Sequence, residues 1–337
     1  MPQRPRLTPA IADVRRAIRE SLDAHGVVSG DQILVACSGG ADSLALAAAA
    51  KFEGSRAGIS VGAVIVDHGL QSVTAEVAKS TMDVLTALGL GPVLIREVSV
   101  GKLGGPEAAA RAARYEALDE AAAAYDAKFV LLGHTLNDQA ETVLLGLTRG
   151  SGTRSLSGMA EVSGRYLRPL LRITRETNEA FCRDSGLTPW MDPHNKEVRF
   201  TRVRIRDEVL PMLEQELGAG VIDALARTAD QAREDEAALA ELAEHYFNEF
   251  VKVRATELEI GTDDYAAMPL AIRHRVLVLA LATLHAPEFS RTHILAVDEL
   301  VDNWHGQKSL TLPGVRVERI AKVISLKSTK TLRPGAC

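Results

Sequence analysis

The chain has 337 residues, of which 46% are hydrophobic, which is enough for about two domains with buried cores and excludes a disordered or fibrous protein. The net charge of −5 argues weakly against a nucleic-acid partner, but the charge is unevenly distributed. Residues 149–206 contain 12 Lys and Arg against 6 Asp and Glu, and residues 307–337 contain 7 against 1. These two basic stretches indicate an anionic partner at defined surfaces.

Hydropathy and cysteine spacing restrict the location of the protein. The longest aliphatic run, residues 276–282, is far shorter than the roughly 20 residues of a membrane span. The first residues lack the apolar segment of a secretory signal. Cys37, Cys182 and Cys337 are too far apart to form a zinc site or a redox pair. We therefore expect a cytoplasmic protein with no membrane association, structural metal or disulfide framework.

The first part of the chain alternates between two hydrophobic patterns. Short apolar runs predict buried parallel strands at residues 32–37, 61–66, 93–98 and 128–133. Helical patterns are present at residues 11–25, 43–51, 73–88 and 107–125. This alternation predicts an α/β fold with a doubly wound, Rossmann-like parallel sheet, whose ligands bind at the carboxyl ends of the strands.

Beyond Pro211 the pattern changes. Long helices are predicted at residues 221–251, 269–285 and 292–304, followed by short alternating strands at residues 308–312, 315–317 and 323–326. We place the domain boundary between residues 215 and 216. The second domain, 216–337, is expected to be smaller and mainly helical, and to end in basic strands.

A glycine-rich loop joins the first predicted strand to its helix. The loop consists of Ser38, Gly39, Gly40, Ala41, Asp42 and Ser43. Glycines let backbone N–H groups curl around an anion, and the helix N-terminus adds partial positive charge. Asp42 could hold magnesium beside bound phosphates or could simply cap the helix. The lysine-containing G-x-x-x-x-G-K-[ST] loop and the G-x-G-x-x-G loop are both absent from this position.

Acidic side chains follow the fourth predicted strand. His134, Asp138 and Glu141 fall at i, i+4 and i+7 of a predicted helix and would share one face toward the cleft. Asp138 and Glu141 could bind a cation, either magnesium together with Asp42 or the ammonium group of a lysine. The alternatives are a solvated acidic helix start and a capping or core role for His134.

Arginines form two further candidate sites. Arg111 and Arg114 lie one helical turn apart, where they could neutralise a phosphoryl group or remain ordinary surface residues. Arg202, Arg204 and Arg206 would share one face of a strand, and the outer two would also share a helix face. Either arrangement clusters them, which favours phosphate contact over an ion-pair network.

The loop at residues 38–43 resembles the SGGxDS loop of the PP-loop ATP pyrophosphatases, which split ATP into AMP and pyrophosphate. Further segments are similar to motifs of the tRNA(Ile)-lysidine synthetase family: residues 66–70, 110–115, 132–142, 149–152 and 168–171, Asp192 with Asn195, and residues 202–206. The resemblance covers about residues 30–215.

This resemblance implies a ligase that adenylates the wobble cytidine of an isoleucine tRNA with a CAU anticodon and then joins free lysine to that base. It implies catalytic roles for Asp42, Asp138 and Arg114, and Mg²⁺ ligation by Asp42 and Asp138. ATP would contact residues 38–43, Asp67 and His68, although the last two could instead cap their strand. Asp138 and Glu141 would bind lysine. The implied tRNA contacts are His134, Arg111, Arg202 and Arg206.

Three alternatives remain at this point. A tRNA thiolase would need persulfide or cluster cysteines, which three isolated cysteines do not supply. An amide-forming synthetase would share only the ATP loop, and an anion-binding module would not turn over ATP. Relative to longer family members, we expect no further C-terminal tRNA-binding domain. The sequence leaves open the oligomeric state, with a homodimer as one option, and the means of rejecting methionine tRNA.

Overall fold

The computed structural model describes residues 7–67, 72–98, 105–150, 152–191, 200–286 and 289–329. The chain forms two compact units, residues 1–233 and 234–337. They divide within a long helix, Val221–Phe250, whose first turns contribute Ile222 and Leu225 to a small core of the first unit. The domain boundary expected between residues 215 and 216 stays a prediction.

The first unit is built on a six-stranded sheet. Its strands are β1 (Gln32–Ala36), β2 (Ser60–Asp67), β3 (Val93–Glu97), β4 (Phe129–Leu132), β5 (Val162–Ser163) and β6 (Tyr166–Leu167). Its helices are α1 (Pro9–Ala24), α2 (Ala41–Ala57), α3 (Ser72–Ala87), α4 (Pro106–Ala124), α5 (Leu136–Arg149), α6 (Thr153–Leu156), α7 (Arg175–Asp184), α8 (Thr201–Arg204), α9 (Leu210–Leu217) and the start of α10 (Val221–Phe250). A π-helical turn, Ile205–Val209, joins α8 to α9.

The strand order is β3-β2-β1-β4-β6-β5, and all paired strands are parallel except those of the β5–β6 hairpin. The chain passes outward from β1 through β2 and β3, and then returns to the other side of β1 to add β4. The carboxyl ends of β1 and β4 therefore lie side by side where the winding reverses, the position at which such sheets bind their ligands. This topology confirms the predicted α/β fold.

Two cores cover the faces of the sheet. Ile33 and Val35 belong to the core shared with α1, α2, α3 and α7, whereas Leu34 and Ala36 belong to the core shared with α4. This alternation follows from the two-residue period of a strand. Helix α2 contributes mostly buried alanine and leucine side chains, so it cannot shift without opening the first core. The residues of its first turn are therefore held firmly relative to β1.

The four predicted strands of the first unit are confirmed, with ends that differ by at most one residue. Helix α2 is longer than predicted and ends at Gly58, whose φ of +72° is typical of a helix C-terminus. The sequence analysis did not predict β5, β6 or α7. The strands β5 and β6 have two residues each, which is too short to show a hydrophobic period. Residues 202–206, for which strand and helix were both possible, are helical.

The second unit combines helices with an antiparallel sheet. After the end of α10 come α11 (Thr262–Ala267), α12 (Leu270–Thr283) and α13 (Arg291–Asp302). The strands, in the order β7-β8-β11-β10-β9, are β7 (Val251–Val253), β8 (Glu257–Gly261), β9 (Leu310–Leu312), β10 (Val315–Ile320) and β11 (Val323–Ser328). The long helices and the last three strands were predicted, whereas α11, β7 and β8 were not.

The core of the second unit lies between its helices and one face of the sheet. Val315 and Val317 are fully buried there, while Arg316 between them is exposed. The hydroxyl of buried Tyr265 donates a hydrogen bond of 2.6 Å to Asp298, which also accepts one from His274 when Nε2 of that ring carries a proton. None of the helices in the described ranges is long and apolar enough to cross a membrane.

Candidate active site

The candidate active site lies where β1 and β4 end. Gly133 follows β4, and a Cβ atom at this position would lie 3.3 Å from the carbonyl carbon and oxygen of Asp42 and from the backbone nitrogen of Ser43. Such a distance is tighter than ordinary van der Waals contact, so a side chain here would require the first turn of α2 to move by a few tenths of an ångström from the end of β4. This approach brings Asp42 close to the residues that follow β4.

The loop at residues 38–43 has an internally fixed conformation. Gly39 has a φ of +85°, which favours glycine, and the Ser43 hydroxyl donates to the Gly40 carbonyl at 3.0 Å while it accepts from the Ser38 backbone N–H at 3.2 Å. Gly40 precedes α2 and offers no side-chain cap. The N–H groups of the first turn are therefore available to an anion, as the sequence predicts for phosphate.

Three carboxylates meet beside this loop, and we call Asp42, Asp138 and Glu141 the acid cluster. Asp138 lies in the first turn of α5, where its Oδ2 accepts the backbone N–H and the hydroxyl of Thr135 at 2.8 and 2.9 Å. This capping box fixes the Asp138 side chain and leaves Oδ1 directed elsewhere. Glu141, one turn further along α5, is completely buried.

Two arginines balance the acid cluster. Arg175 begins α7, and its guanidinium lies 3.2 Å from Asp138 Oδ1, 3.5 Å from Glu141 Oε1 and 3.7 Å from Asp42 Oδ2. Arg206 donates through Nε to Glu141 Oε1 at 2.9 Å. Glu141 Oε2 is buried and has no hydrogen-bond partner among the residues that the structure describes. Among the described residues, the two guanidinium groups offset part of the charge of the three carboxylates, and the hydrogen bonds of the cluster are not saturated.

The carboxyl group of Asp42 has a perturbed pKa. Burial raises the pKa of Asp42 to about 6, against the lowering effects of a hydrogen bond from Asn178 and of the nearby Arg175 charge. The Asn178 side-chain amide donates to Asp42 Oδ1 at 2.7 Å, and Asn178 is itself fully buried. A carboxyl group with a pKa raised by burial, at the edge where such a sheet binds its ligands, is typical of a functional site.

His134 and three arginines form a second group of side chains beside Asp138. Burial lowers the pKa of His134 to about 4, assisted by the positive charges of Arg168, Arg114 and Arg111 and opposed by Asp138. The imidazole is therefore neutral at pH 7, and its buried Nδ1 has no hydrogen-bond partner in the described part of the chain. Burial also lowers the pKa of Arg114.

The structure corrects one detail of the predicted geometry. α5 begins at Leu136 with Thr135 as its N-cap, so His134 precedes the helix and does not share its face at i, i+4 and i+7. The reason is that Thr135 and Asp138 form the capping box, which starts the helix after His134. Asp138 and Glu141, at i and i+3, do share one face.

The structure places the remaining predicted residues that it describes on several elements of the first unit. Asp67 is buried at the end of β2, and His68 lies outside the described residues. Arg111 is exposed on α4, where its guanidinium lies 4.9 Å from the centre of the Tyr115 ring. Arg202 is half-buried on α8. Arg206, predicted to contact tRNA, is bonded to Glu141 in this structure, and its contact with tRNA stays a prediction.

The sequence missed Arg175 and Asn178. Both lie on α7, and the Arg175 backbone N–H donates to the Asn137 side chain at 2.9 Å, which joins α7 to α5. A signal for this helix is present, because Thr174 caps it by accepting from the Thr177 backbone N–H at 3.2 Å. With the helix assigned, Arg175 and Asn178 would share one face at i and i+3.

The donor chemistry of the site suits magnesium, although the described residues form no complete cage. Carboxylate oxygens of Asp42 and Asp138 are hard ligands of the kind that Mg²⁺ prefers, and both face Arg175. No group of three or more His, Cys, Asp or Glu side chains that could hold a metal is found within the described residues. The described cysteines, Cys37 and Cys182, are buried, and burial raises the pKa of both thiols, that of Cys182 to about 12. Neither thiol supplies a thiolate at neutral pH.

Comparison with known proteins agrees with this geometry. A family model described as a PP-loop domain matches residues 12–213, and one described as the TilS substrate binding domain matches residues 263–320. The sheet topology, the loop after β1 and the first match together define a PP-loop protein. The tRNA(Ile)-lysidine synthase of Leifsonia xyli subsp. xyli is 54% identical over 297 residues, which cover 88% of this chain and 89% of that protein. The chain belongs to the tRNA(Ile)-lysidine synthase family.

Other relatives give the same result. The tRNA(Ile)-lysidine synthase of Streptomyces coelicolor is 49% identical over 311 residues, covering 88% of this chain and 85% of that protein. Among solved structures, the U34-tRNA thiolase NcsA from Methanococcus maripaludis superposes with a TM-score of 0.58 at 16% identity, covering 67% of this chain and 80% of that chain. At this low identity the superposition shows a shared fold alone.

The hydrogen bond from Asn178 allows a direct test of the electrostatics. Asn178→Leu removes the donor while keeping a similar volume, so we expect the pKa of Asp42 to rise above its value of about 6. Carboxyl ¹³C chemical shifts followed against pH measure this value. Thr177→Val, one residue earlier on α7, changes a side chain that contacts Thr174 and should leave the pKa unchanged. An unchanged or lowered pKa in the Asn178 variant would contradict the assigned contact.

Proposed function

We propose that the protein uses ATP to join free lysine to the wobble cytidine of an isoleucine tRNA with a CAU anticodon, forming lysidine and releasing AMP and pyrophosphate. The observation that carries this proposal is the acid cluster beside the uncapped start of α2, in a chain of the tRNA(Ile)-lysidine synthase family. An anion site next to a cation site suits a reaction that joins a nucleotide to an amine.

ATP is the first substrate of the proposed reaction. The backbone N–H groups at the start of α2 would bind its phosphates, and Ser38 would add a hydroxyl donor. Asp42 and Asp138 would hold Mg²⁺, which when bound offsets the negative charge of the phosphates. Arg114, whose guanidinium is largely desolvated, would stabilise charge that develops as the cytidine oxygen attacks the α-phosphate. The buried end of β2 at Asp67, with His68 after it, would lie near the adenosine.

Lysine is the second substrate. Asp138 and Glu141 would bind and orient its ammonium-bearing side chain, supported by the complete burial of Glu141 and by its unpartnered Oε2 atom among the described residues. Arg206 would keep Glu141 in place by the contact at 2.9 Å. After the amine loses its proton, its lone pair would attack C2 of the activated cytidine, and AMP would leave with the oxygen.

The tRNA would bind across the arginine-bearing surfaces. The wobble base has to leave its stack to reach the site, and neutral His134 would then act toward the base as a hydrogen-bond partner without carrying charge. Arg111 and Arg202 would contact phosphates or stabilise the flipped nucleotide. The match to a substrate binding domain supports a tRNA-binding role for the second unit. The proposed substrates are consistent with a cytoplasmic location, and the oligomeric state stays open.

Nucleoside analysis tests the proposed function as a whole. The protein is incubated with ATP, lysine and unmodified isoleucine tRNA, and the digested nucleosides are examined by mass spectrometry. We expect a lysidine nucleoside in place of one cytidine. Methionine tRNA, which shares the CAU anticodon, serves as the control that should remain unmodified. Pyrophosphate release without any lysidine would contradict lysine transfer and favour a different acceptor.

Glu141→Gln separates the two half-reactions. If Glu141 binds only lysine, the variant should keep tRNA-dependent pyrophosphate release and lose at least about tenfold in lysine transfer, the usual scale for one substrate-positioning contact. Both rates are measured on the same tRNA by pyrophosphate release and by radiolabelled lysine incorporation. An equal loss of both rates would place Glu141 with the magnesium and ATP instead.

The salt dependence of binding tests the basic surface. Arg202→Gln should weaken tRNA binding and reduce the slope of log affinity against log salt by about one, since each phosphate contact releases about one counterion. Arg227→Gln, on the exposed acidic side of α10, removes the same charge and should leave the slope nearly unchanged. Equal changes in both variants would show that the overall field of the protein, and not Arg202, attracts the tRNA.

A further inference from the structure

Arg175 contacts the acid cluster in an unusual way. Its Nε atom faces Asp42 at 3.7 Å, and its Nη2 atom faces Asp138 at 3.2 Å and Glu141 at 3.5 Å. A strong guanidinium–carboxylate pair is two-pronged and shorter, at roughly 2.7–2.9 Å. Arg175 is therefore shared among three carboxylates without a close paired contact to any of them.

The other contacts of the cluster are tighter. Asn178 holds Asp42 Oδ1 at 2.7 Å, Thr135 holds Asp138 Oδ2 at 2.8 and 2.9 Å, and Arg206 holds Glu141 Oε1 at 2.9 Å. These contacts fix the carboxylates without help from Arg175. Arg175, which faces all three carboxylates, therefore makes longer contacts with them than Asn178, Thr135 and Arg206 do.

The oxygen atoms nearest Arg175 are also those that a bound cation would need. The other oxygens of Asp42 and Asp138 are already occupied by Asn178 and Thr135, which leaves Asp42 Oδ2 and Asp138 Oδ1 toward Arg175. Independently, Glu141 is fully buried and its Oε2 lacks a hydrogen-bond partner among the described residues. A buried carboxylate oxygen without a donor points to a ligand that is still to enter.

We propose that Arg175 is a resident counter-ion of the acid cluster that gives up its place when a divalent cation binds to Asp42 and Asp138. It is a positioning residue, since its charge offsets the mutual repulsion of one buried and two half-buried carboxylates before the substrate arrives. This inference rests on the proposed function, because it takes the divalent cation from the ATP-dependent step. Without Arg175, the mutual repulsion of the three carboxylates would be offset, among the described residues of the site, by Arg206 alone.

The alternative is that Arg175 is a fixed link between α7 and α5. Its backbone N–H already joins these helices through Asn137, so the side chain is not needed for that connection. A fixed link would support the metal ligands, and its removal would weaken metal binding. A counter-ion competes with the metal, and its removal would strengthen metal binding. The two roles therefore predict opposite changes.

Manganese binding to the ATP-free full-length protein separates these roles. Free Mn²⁺ is counted by electron paramagnetic resonance for the wild type, Arg175→Gln and Arg206→Gln. We expect Arg175→Gln to bind Mn²⁺ at least about tenfold more tightly, the scale on which one neighbouring charge affects another ionisation. Arg206→Gln removes the same charge from the same cluster without freeing Asp42 or Asp138, so its gain should be much smaller.

Each other outcome would overturn the proposal. Unchanged or weaker Mn²⁺ binding in Arg175→Gln would identify a fixed link, and equal gains in both variants would show only a change in local field. Arg183→Gln, an exposed residue of the same helix, controls for the net charge of α7. The measurement uses neither tRNA nor lysine, so its failure leaves lysidine formation by the wild type standing. If the wild type forms no lysidine but the predicted Mn²⁺ result is obtained, the proposed function is rejected and the counter-ion role of Arg175 is kept.

A measurement on the wild type avoids dependence on the folding of Arg175→Gln. The Arg175 Nε–Hε signal is assigned by its loss in Arg175→Lys and followed by NMR while Mg²⁺ and a non-hydrolysable ATP analogue are added. Displacement should shift this signal and speed the exchange of its proton with water. The Arg206 signal, held by the short contact to Glu141, should change much less. An unaffected Arg175 signal would overturn the proposal.

Discussion

The close approach of α2 to the end of β4 is the constraint on which the site depends. Gly133 favours this approach, because a Cβ atom there would lie only 3.3 Å from the backbone of Asp42 and Ser43. The buried surface of α2 keeps its first turn in place, and the capping box of Thr135 fixes the first turn of α5. Two helix starts, each a favourable place for an anion, therefore meet at one crevice.

Charge balance explains why this crevice also contains arginines. Three carboxylates in a largely buried space would repel one another and lose hydration, which proteins tolerate only when the charges are compensated. Arg206 compensates Glu141 by a short contact, whereas Arg175 is shared by the whole cluster at longer distances. Burial raises the pKa of Asp42 in spite of the nearby Arg175 charge. Three carboxylates face two guanidinium groups, so the site is left with an excess of negative charge among these five groups.

Asp138 connects two regions of different chemistry. On one side lie the loop before α2 and Asp42, and on the other lie neutral His134 and the arginines of α4. In the proposed reaction, adenylation and lysine transfer act on the same cytidine, so their groups have to reach one base from two directions. A single acidic residue held by a capping box at this junction suits that requirement, because two hydrogen bonds from Thr135 orient its carboxylate.

The sequence alone determined the parallel sheet, the phosphate loop and the family, because these depend on local periodicity, glycine placement and short motifs. It also singled out Asp42, Asp138 and Glu141 as the acidic residues of the site. Arg175 and Asn178 emerged only from the tertiary structure, because they lie on α7, more than 130 residues from Asp42 along the chain. The burial of Glu141, the raised pKa of Asp42 and the start of α5 after His134 likewise depend on which groups the fold brings together. Motifs record residue types along the chain, whereas desolvation and charge pairing are set by neighbours in space.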